Sequence, residues 1–513
     1  MKSNSRTKQT VLNASANLID NIIKVFIKFA SRYVFIFTLG QQYLGVSALF
    51  SSIITMLSLA DLGFGIALPQ ALYEPLAKQD ENQIKKIMQF YEKVYVVISA
   101  CILGIGIALL PFLRLIIGNQ DISGISNINT IYVLFIVQSA VSYLFVYKRT
   151  LFVADQKNYI VTVIESFTSI ISTIVQIVTL LITKNYILYL LISIAAIVAQ
   201  NLFISYKCDK CYPFLKNKKN ESKLEHNEIR TLVKKIYALF IYKVAIAVET
   251  GTDNLIMTAF CGLTITGLCS NYTLITTSVA SILMMVMSAA TASIGNVIVT
   301  ESNETTYKLY KLLDFIGFWV YSVCAISMVV LVGPFIRMFL GTDYMINTST
   351  VVVLCMNFYI CGVQNINSNF RNAYGLFYEG RYRPIFMIII NISSSIVLAK
   401  IMGVTGIFIG TLLSRLLTVG IFDPYIVFKY GLKYPLKEYY KSHLSYHFIT
   451  IIIGAGMFWV FAFWNTQNIL TWVLKAISVF ILTNLMFVII FNKNNNFILL
   501  IRRIKVFRRG MVL

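Results

Sequence analysis

Charge is scarce in this chain. Asp, Glu, Lys and Arg make up only 13% of 513 residues, and 44 basic residues face just 22 acidic ones. With a mean hydropathy of +0.73, little is left for a water-soluble domain. Only three histidines occur, read as lying outside the apolar segments, which argues against intramembrane histidine catalysis. There is no G-x-x-x-x-G-K-[ST] phosphate loop, so direct ATP coupling within the chain is not expected. The N-terminal stretch is short and basic, with no small-residue cleavage site after it, so no cleavable signal peptide is expected. The longest polar link, 207–231, is basic and too short for the catalytic loop of a membrane glycosyltransferase or polymerase, and an enzyme is not expected.

Eight cysteines are also too dispersed to staple a fold. Cys101, Cys261, Cys324, Cys355 and Cys361 fall inside apolar segments, where a thiol acts as a small hydrophobe. Cys208-Asp209-Lys210-Cys211 with His226 supplies three ligands where a zinc site needs four, so neither metal nor cofactor is expected. His443 and His447, four apart at the start of an apolar segment, read as an interfacial face.

What remains is hydrocarbon-compatible sequence from end to end. Apolar segments at 11–38, 44–72, 87–113, 128–148, 157–182, 186–206, 232–260, 266–298, 311–336, 348–371, 384–402, 404–429, 446–464 and 469–492 predict about fourteen membrane spans. The net charge of +22 sits mostly in alternate links between them, so it orients the protein and does not predict nucleic-acid binding. One side carries Lys2, Arg6 and Lys8, the link with Lys78, Lys85 and Lys86, the 207–231 segment, and Arg502, Arg503, Arg508 and Arg509. The other side carries Arg114, Lys184, Arg337 and Lys400, one to a loop. Both termini are therefore expected in the cytoplasm, with the basic C-terminal tail on the anionic inner leaflet.

The first span is amphipathic in an unusual way. At 100° per residue, Asn13, Asn17, Asp20, Asn21, Lys24, Lys28, Ser31 and Arg32 share an arc of about 120°. Each charge near mid-bilayer costs about 2.5–3.5 kcal/mol, so this arc must face partners, water or a ligand. We read it as the wall of a cationic cavity with Lys24, Lys28, Arg32 and, from the twelfth span, Arg415 as substrate-binding residues. Glu249 and Asp253 in the seventh span, with Asp20, are expected to pair across the lobes or to couple an ion, H+ or Na+. A structural ion-pair seam is the alternative. Glu165 and Asp423 are weaker coupling candidates, equally readable as local partners.

The chain also repeats itself. Pro111-Phe112-Leu113-Arg114 recurs as Pro334-Phe335-Ile336-Arg337, Gly40 and Gly45 recur as Gly262 and Gly267, and Ala154-Asp155-Gln156-Lys157 answers Tyr378-Glu379-Gly380-Arg381, all at nearly one spacing. The expected fold is thus an all-α integral membrane protein of two parallel six-helix lobes plus two appended helices. Its expected divisions are 1–206, a linker at 207–231, a second lobe at 232–430, the appended spans at 431–492 and the tail at 493–513. Gly63, Gly65, Pro69 and Gly295 are candidate bends.

Leu39-Gly40-Gln41-Gln42-Tyr43-Leu44-Gly45-Val46-Ser47-Ala48-Leu49-Phe50, Leu59-Ala60-Asp61-Leu62-Gly63-Phe64-Gly65 and Ala71-Leu72-Tyr73-Glu74-Pro75-Leu76-Ala77 resemble the polysaccharide repeat-unit flippases. So does Tyr374-Gly375-Leu376-Phe377 leading into Arg381-Tyr382-Arg383-Pro384. These are the O-antigen and capsule translocases of the multidrug/oligosaccharidyl-lipid/polysaccharide exporter superfamily. The resemblance implies alternating access that carries an undecaprenyl-pyrophosphate-linked oligosaccharide from the inner to the outer leaflet of a bacterial cytoplasmic membrane. It also implies cavity cations serving the lipid-linked anion, at positions matched here by Lys24, Lys28 and Arg32. A multidrug exporter and a lipid II flippase of the same superfamily are the alternatives.

Overall fold

The computed structural model describes residues 2–58, 64–117, 124–216, 229–230, 244, 251–376 and 378–510. Among them there is no strand, as the bilayer demands of a chain that must satisfy its backbone locally. Among the described residues ten helices are long and apolar enough to span, and a pair of helices bent by 42° passes the same test together. These match the expected spans three to six and eight to fourteen. The first helix is too rich in charge to count on hydropathy alone, the second expected span passes through residues 59–63, with Gly63, outside the described residues, and so does most of the seventh. The chain is a multi-pass, all-α membrane protein.

Packing divides it into Met1–Gly267 and Leu268–Leu513. The first unit contains α1 (Lys2–Leu39), α2 (Gln41–Leu57), α3 (Phe64–Lys78), α4 (Glu81–Leu109), α5 (Leu113–Ile117), α6 (Ile128–Tyr143), α7 (Val146–Ala154), α8 (Asn158–Thr183) and α9 (Tyr186–Cys211). Its core gathers Tyr91, Tyr95 and Ile98 of α4 with Leu151 and Phe152 of α7 and Leu68 and Leu72 of α3. Helix α1 packs along α8, and α8 along α9. Starts of helices are fixed by side chains that accept otherwise orphaned N–H groups, such as Asp80 Oδ1 from Gln83 N at 3.0 Å and Asn185 Oδ1 from Ile187 N at 2.9 Å.

The helix over 251–261, which the repeat assigns to the second lobe, packs on α2, where Asn254 Nδ2 donates to Ser52 Oγ at 2.9 Å. The repeat-related glycines have matching conformations: Gly40 turns the chain with φ 85° and Gly262 with φ 98°, values that suit glycine alone. Their partners meet directly. A Cβ on Gly45 would stand 1.9 Å from the carbonyl oxygen of Leu263, and one on Gly267 would stand 2.6 Å from that of Gln41.

The second unit begins within α10 (Leu263–Thr300) and continues through α11 (Asn303–Leu340), α12 (Thr348–Ala373), α13 (Arg383–Met402), α14 (Val404–Leu417), α15 (Val419–Ile426) and a π-helical turn at Val427–Leu432. Then follow α16 (Leu436–Ala462), α17 (Ile469–Phe491) and α18 (Asn495–Gly510). Helices α13 and α14 form a tight hairpin because Gly406 and Gly410 let α14 lie against Leu398 and Ser395. The appended helices α16 and α17 both pack on α11, through stacked Phe318 and Tyr446 rings and a Trp319–Phe487 edge contact.

Candidate functional site

The polar arc of α1 divides into two regions. Toward its N-terminal half it is a seam with α8. Asn17 Oδ1 accepts from Thr162 Oγ1 at 3.0 Å, and Asp20 Oδ1 accepts from Ser166 Oγ at 2.6 Å. Lys24 Nζ lies 2.8 Å from Asp20 Oδ2 and 4.0 Å from Glu165 Oε2. Arg149 of α7 closes the cluster, its Nη1 2.8 Å from Glu165 Oε1 as an ion pair. Two acids and two bases balance, and Asp20 is only 8% exposed. The acids that neutralise Lys24 therefore come from its own helix and from α8 within the first unit.

Further along α1 the arc changes character. Lys28 is exposed, and among the described residues no carboxylate lies within ion-pair distance of it. At 1.5 Å per residue it sits about 16 Å from the C-terminal end of the helix, about half the ~30 Å thickness of a hydrocarbon layer. The exposed large apolar residues of α1, Ile19, Ile22, Phe26, Tyr33 and Phe37, recur on a different face. Lys28 is about 160° around the helix from that face, so its exposure is not on the side suited to lipid. Arg32, one turn on, is half-buried and interacts with Tyr186 and Tyr189, in an aromatic group where Phe35 meets both rings edge-on at 5.3 and 5.7 Å.

Beside the neutral cluster the fourth span breaks between α6 and α7. None of the bends expected from Gly or Pro lies here. The break falls at Leu144 and Phe145, and Phe145 holds φ 67°, a left-handed conformation that costs a bulky residue on the order of 1–3 kcal/mol. The carbonyl of Val141 freed there accepts from Leu144 N at 3.2 Å and from Asn201 Nδ2 of α9 at 3.1 Å. A cavity of about 320 Å³ opens in the angle, lined by Ser142, Tyr143, Arg149, Gln200 and Asn201 among others. Lys148 on α7 is anchored by Asp209 Oδ1 at 2.7 Å and by Ser205 Oγ at 2.7 Å.

The remaining residues singled out from sequence are scattered. Glu249 lies outside the described residues. Asp253 is half-buried on the 251–261 helix. Arg415 is half-buried on α14, where its backbone oxygen accepts from Gln364 Nε2 at 3.3 Å. Asp423, fully buried, is a local partner: Arg371 Nη1 and Arg383 Nη1 reach its two oxygens at 2.7 and 2.6 Å, and Ser368 Oγ donates at 2.9 Å. Cys208 is buried and Cys211 exposed, and no group of metal-binding side chains forms among the described residues.

One expectation is overturned. His443 and His447 are not an interfacial face but lie inside the spanning helix α16, His443 being only 4% exposed. His443 Nε2 is 3.1 and 3.0 Å from Oδ1 and Oδ2 of Asp314 on α11. His447 Nδ1 is 2.9 Å from the Tyr359 hydroxyl. Nothing in the sequence signals the pair, because its members are 129 residues apart.

No protein-family model matches the sequence, and no curated protein matches it. Solved structures do. An inward-facing multidrug resistance MATE family transporter of the MOP superfamily superposes with a TM-score of 0.65 at 12% identity, covering 82% of this chain and 99% of its own. The lipid II flippase MurJ, in an inward closed conformation, gives 0.62 at 16%, covering 93% and 99%. A MOP superfamily transporter from Pyrococcus furiosus, reported to have a binding pocket of reverse polarity, gives 0.56 at 13%, covering 84% and 97%. At such identities the likeness is one of fold, and the fold of this chain is the one shared by MATE transporters and MurJ.

Proposed function

We propose that the chain is a flippase that moves a lipid-linked anionic oligosaccharide, of the undecaprenyl-pyrophosphate class, from the inner to the outer leaflet by alternating access. The carrying observation is Lys28, exposed away from the apolar face of α1 and with no described carboxylate beside it; with α1 as the first span, it falls near mid-bilayer. A bare ammonium at that depth costs several kcal/mol unless a hydrated space or an anion receives it. Lys24, by contrast, is neutralised in place, so its role is to hold α1 on α8, and substrate contact falls to Lys28 and Arg32. The headgroup would ride the cationic face while its lipid tail stays in hydrocarbon.

Coverage supports a lipid-linked substrate over a drug. MurJ aligns with 93% of the chain and the MATE transporter with 82%, a difference comparable in length to the two appended helices. The test is reconstitution in vesicles, comparing a lipid-linked oligosaccharide with a lipophilic cation. Wild type is expected to move the first and not the second, and Lys28→Ala to lose most of that transport at unchanged membrane level. Transport of the lipophilic cation alone would assign the protein to drug export and sink this reading.

A further inference from the structure

We propose that Asp314 and His443 form a proton-binding centre in the second unit, through which protonation controls how α16 packs on α11. The coupling role assigned to it rests on the transport reading above, whereas the proton site itself does not. Imidazole Nε2 faces both carboxylate oxygens at 3.0–3.1 Å, and both residues are under 9% exposed. Among the described residues no other hydrogen bond reaches Asp314. The neighbours that could have quenched it are engaged elsewhere. Lys311, three residues before Asp314, lies over the ring of Tyr307 at 4.5 Å. The phenol of Tyr310 donates to Asn367 Oδ1 at 2.7 Å, and the phenol of Tyr439 accepts from Asn367 Nδ2 at 3.0 Å.

The charge balance follows from these contacts. With one proton between them the pair is an imidazolium and a carboxylate, net neutral. Losing it leaves a buried negative charge, and gaining a second leaves a buried positive one. Either change is expensive in this setting and weakens the attraction between α11 and α16. The groups facing the pair are mostly phenols: Tyr307 and Tyr310 from α11, Tyr359 from α12, and Tyr439 and Tyr446 from α16. The other ionisable neighbours are His447 and Glu438 on α16 and, beyond Tyr439, Asp423 of α15 held by its two arginines. Helix α17 brings only Lys475, at its other end, donating to the Trp464 carbonyl at 3.1 Å; α18 faces Tyr446 with the uncharged Asn496.

The centre is placed to be reached and to be felt. His443 lies about 10 Å into α16 from its basic, cytoplasmic start. Glu438, at that mouth, accepts from the Tyr307 hydroxyl at 2.9 Å. One turn deeper, His447 and Tyr359 line an apolar cavity of about 370 Å³ walled by α11, α12 and α16. A change in the attraction between α11 and α16 therefore alters that cavity directly.

With only three histidines in the chain, ring resonances of histidine-labelled protein in nanodiscs can be followed singly. The His443 signal, identified by its loss in His443→Gln, is expected to change with pH in wild type and to change differently in Asp314→Asn. A His443 ring that does not respond to pH, or responds identically in Asp314→Asn, overturns the proposal. Asp314→Glu, which keeps the carboxylate, serves if the Asn variant does not fold. In vesicles, an imposed proton gradient is expected to raise wild-type oligosaccharide transport several-fold and to leave His443→Gln at its downhill rate. Wild type that moves no oligosaccharide defeats the flippase reading while the ring titration still decides on the proton site. Wild type that moves it equally with and without the gradient defeats the coupling alone.

Discussion

Single residues carry opposite burdens in the two units. Asp423 takes an ion pair from each of two buried arginines, so Asp423→Ala removes an anion from both guanidiniums at once. Removing one partner of a buried pair costs about 3–5 kcal/mol, and a sharp fall in thermal stability of detergent-purified protein is the expected reading. Glu165 is different: it shares Lys24 and Arg149 in a cluster already half open to water through Arg149, whose side chain is 48% exposed. Glu165→Gln is expected to leave folding intact and to add one positive charge beside the 320 Å³ cavity, measurable as tighter retention of anionic lipid on the purified protein. The α1 arc was legible because helical periodicity displays it. Its partners were not, since Glu165 and Arg149 carry no motif and become neighbours only when α7 and α8 fold onto α1.

Whole elements were easier to read where hydropathy alone decides them, and harder where backbone geometry does. Spans three, five and six, and eight to fourteen, follow from unbroken apolar length. The fourth was read as one span over 128–148, and its bend at Phe145 carries no Gly or Pro to announce it. The helix α16 was misjudged in the opposite sense. Its His443 and His447, four apart, were read as an interfacial face, whereas they meet Asp314 and Tyr359 inside the protein, with Thr450 against Ser322. Glycines divide in the same way. Gly45→Val is expected to abolish folded yield, because its Cβ would overlap the Leu263 carbonyl, while Gly104→Ala, with open space around it, is expected to leave yield unchanged. Fluorescence-detected gel filtration of tagged variants separates the two.

At the scale of the molecule, the distribution of lysine and arginine makes the firmest forecast. Tags at both ends are expected to be inaccessible from outside intact cells, and single cysteines beside Arg114, Lys184 and Lys400 accessible, as impermeant thiol labelling reports. The internal repeat was visible as scattered matches. Its strongest physical expression is the place where Gly45 lies against the main chain of Leu263, and Gly267 against that of Gln41 and Gly45. A contact this close leaves no room for even one methyl group between the two helix starts, so the pair of glycines acts as a keyed joint, and any larger residue at either position would wedge it open.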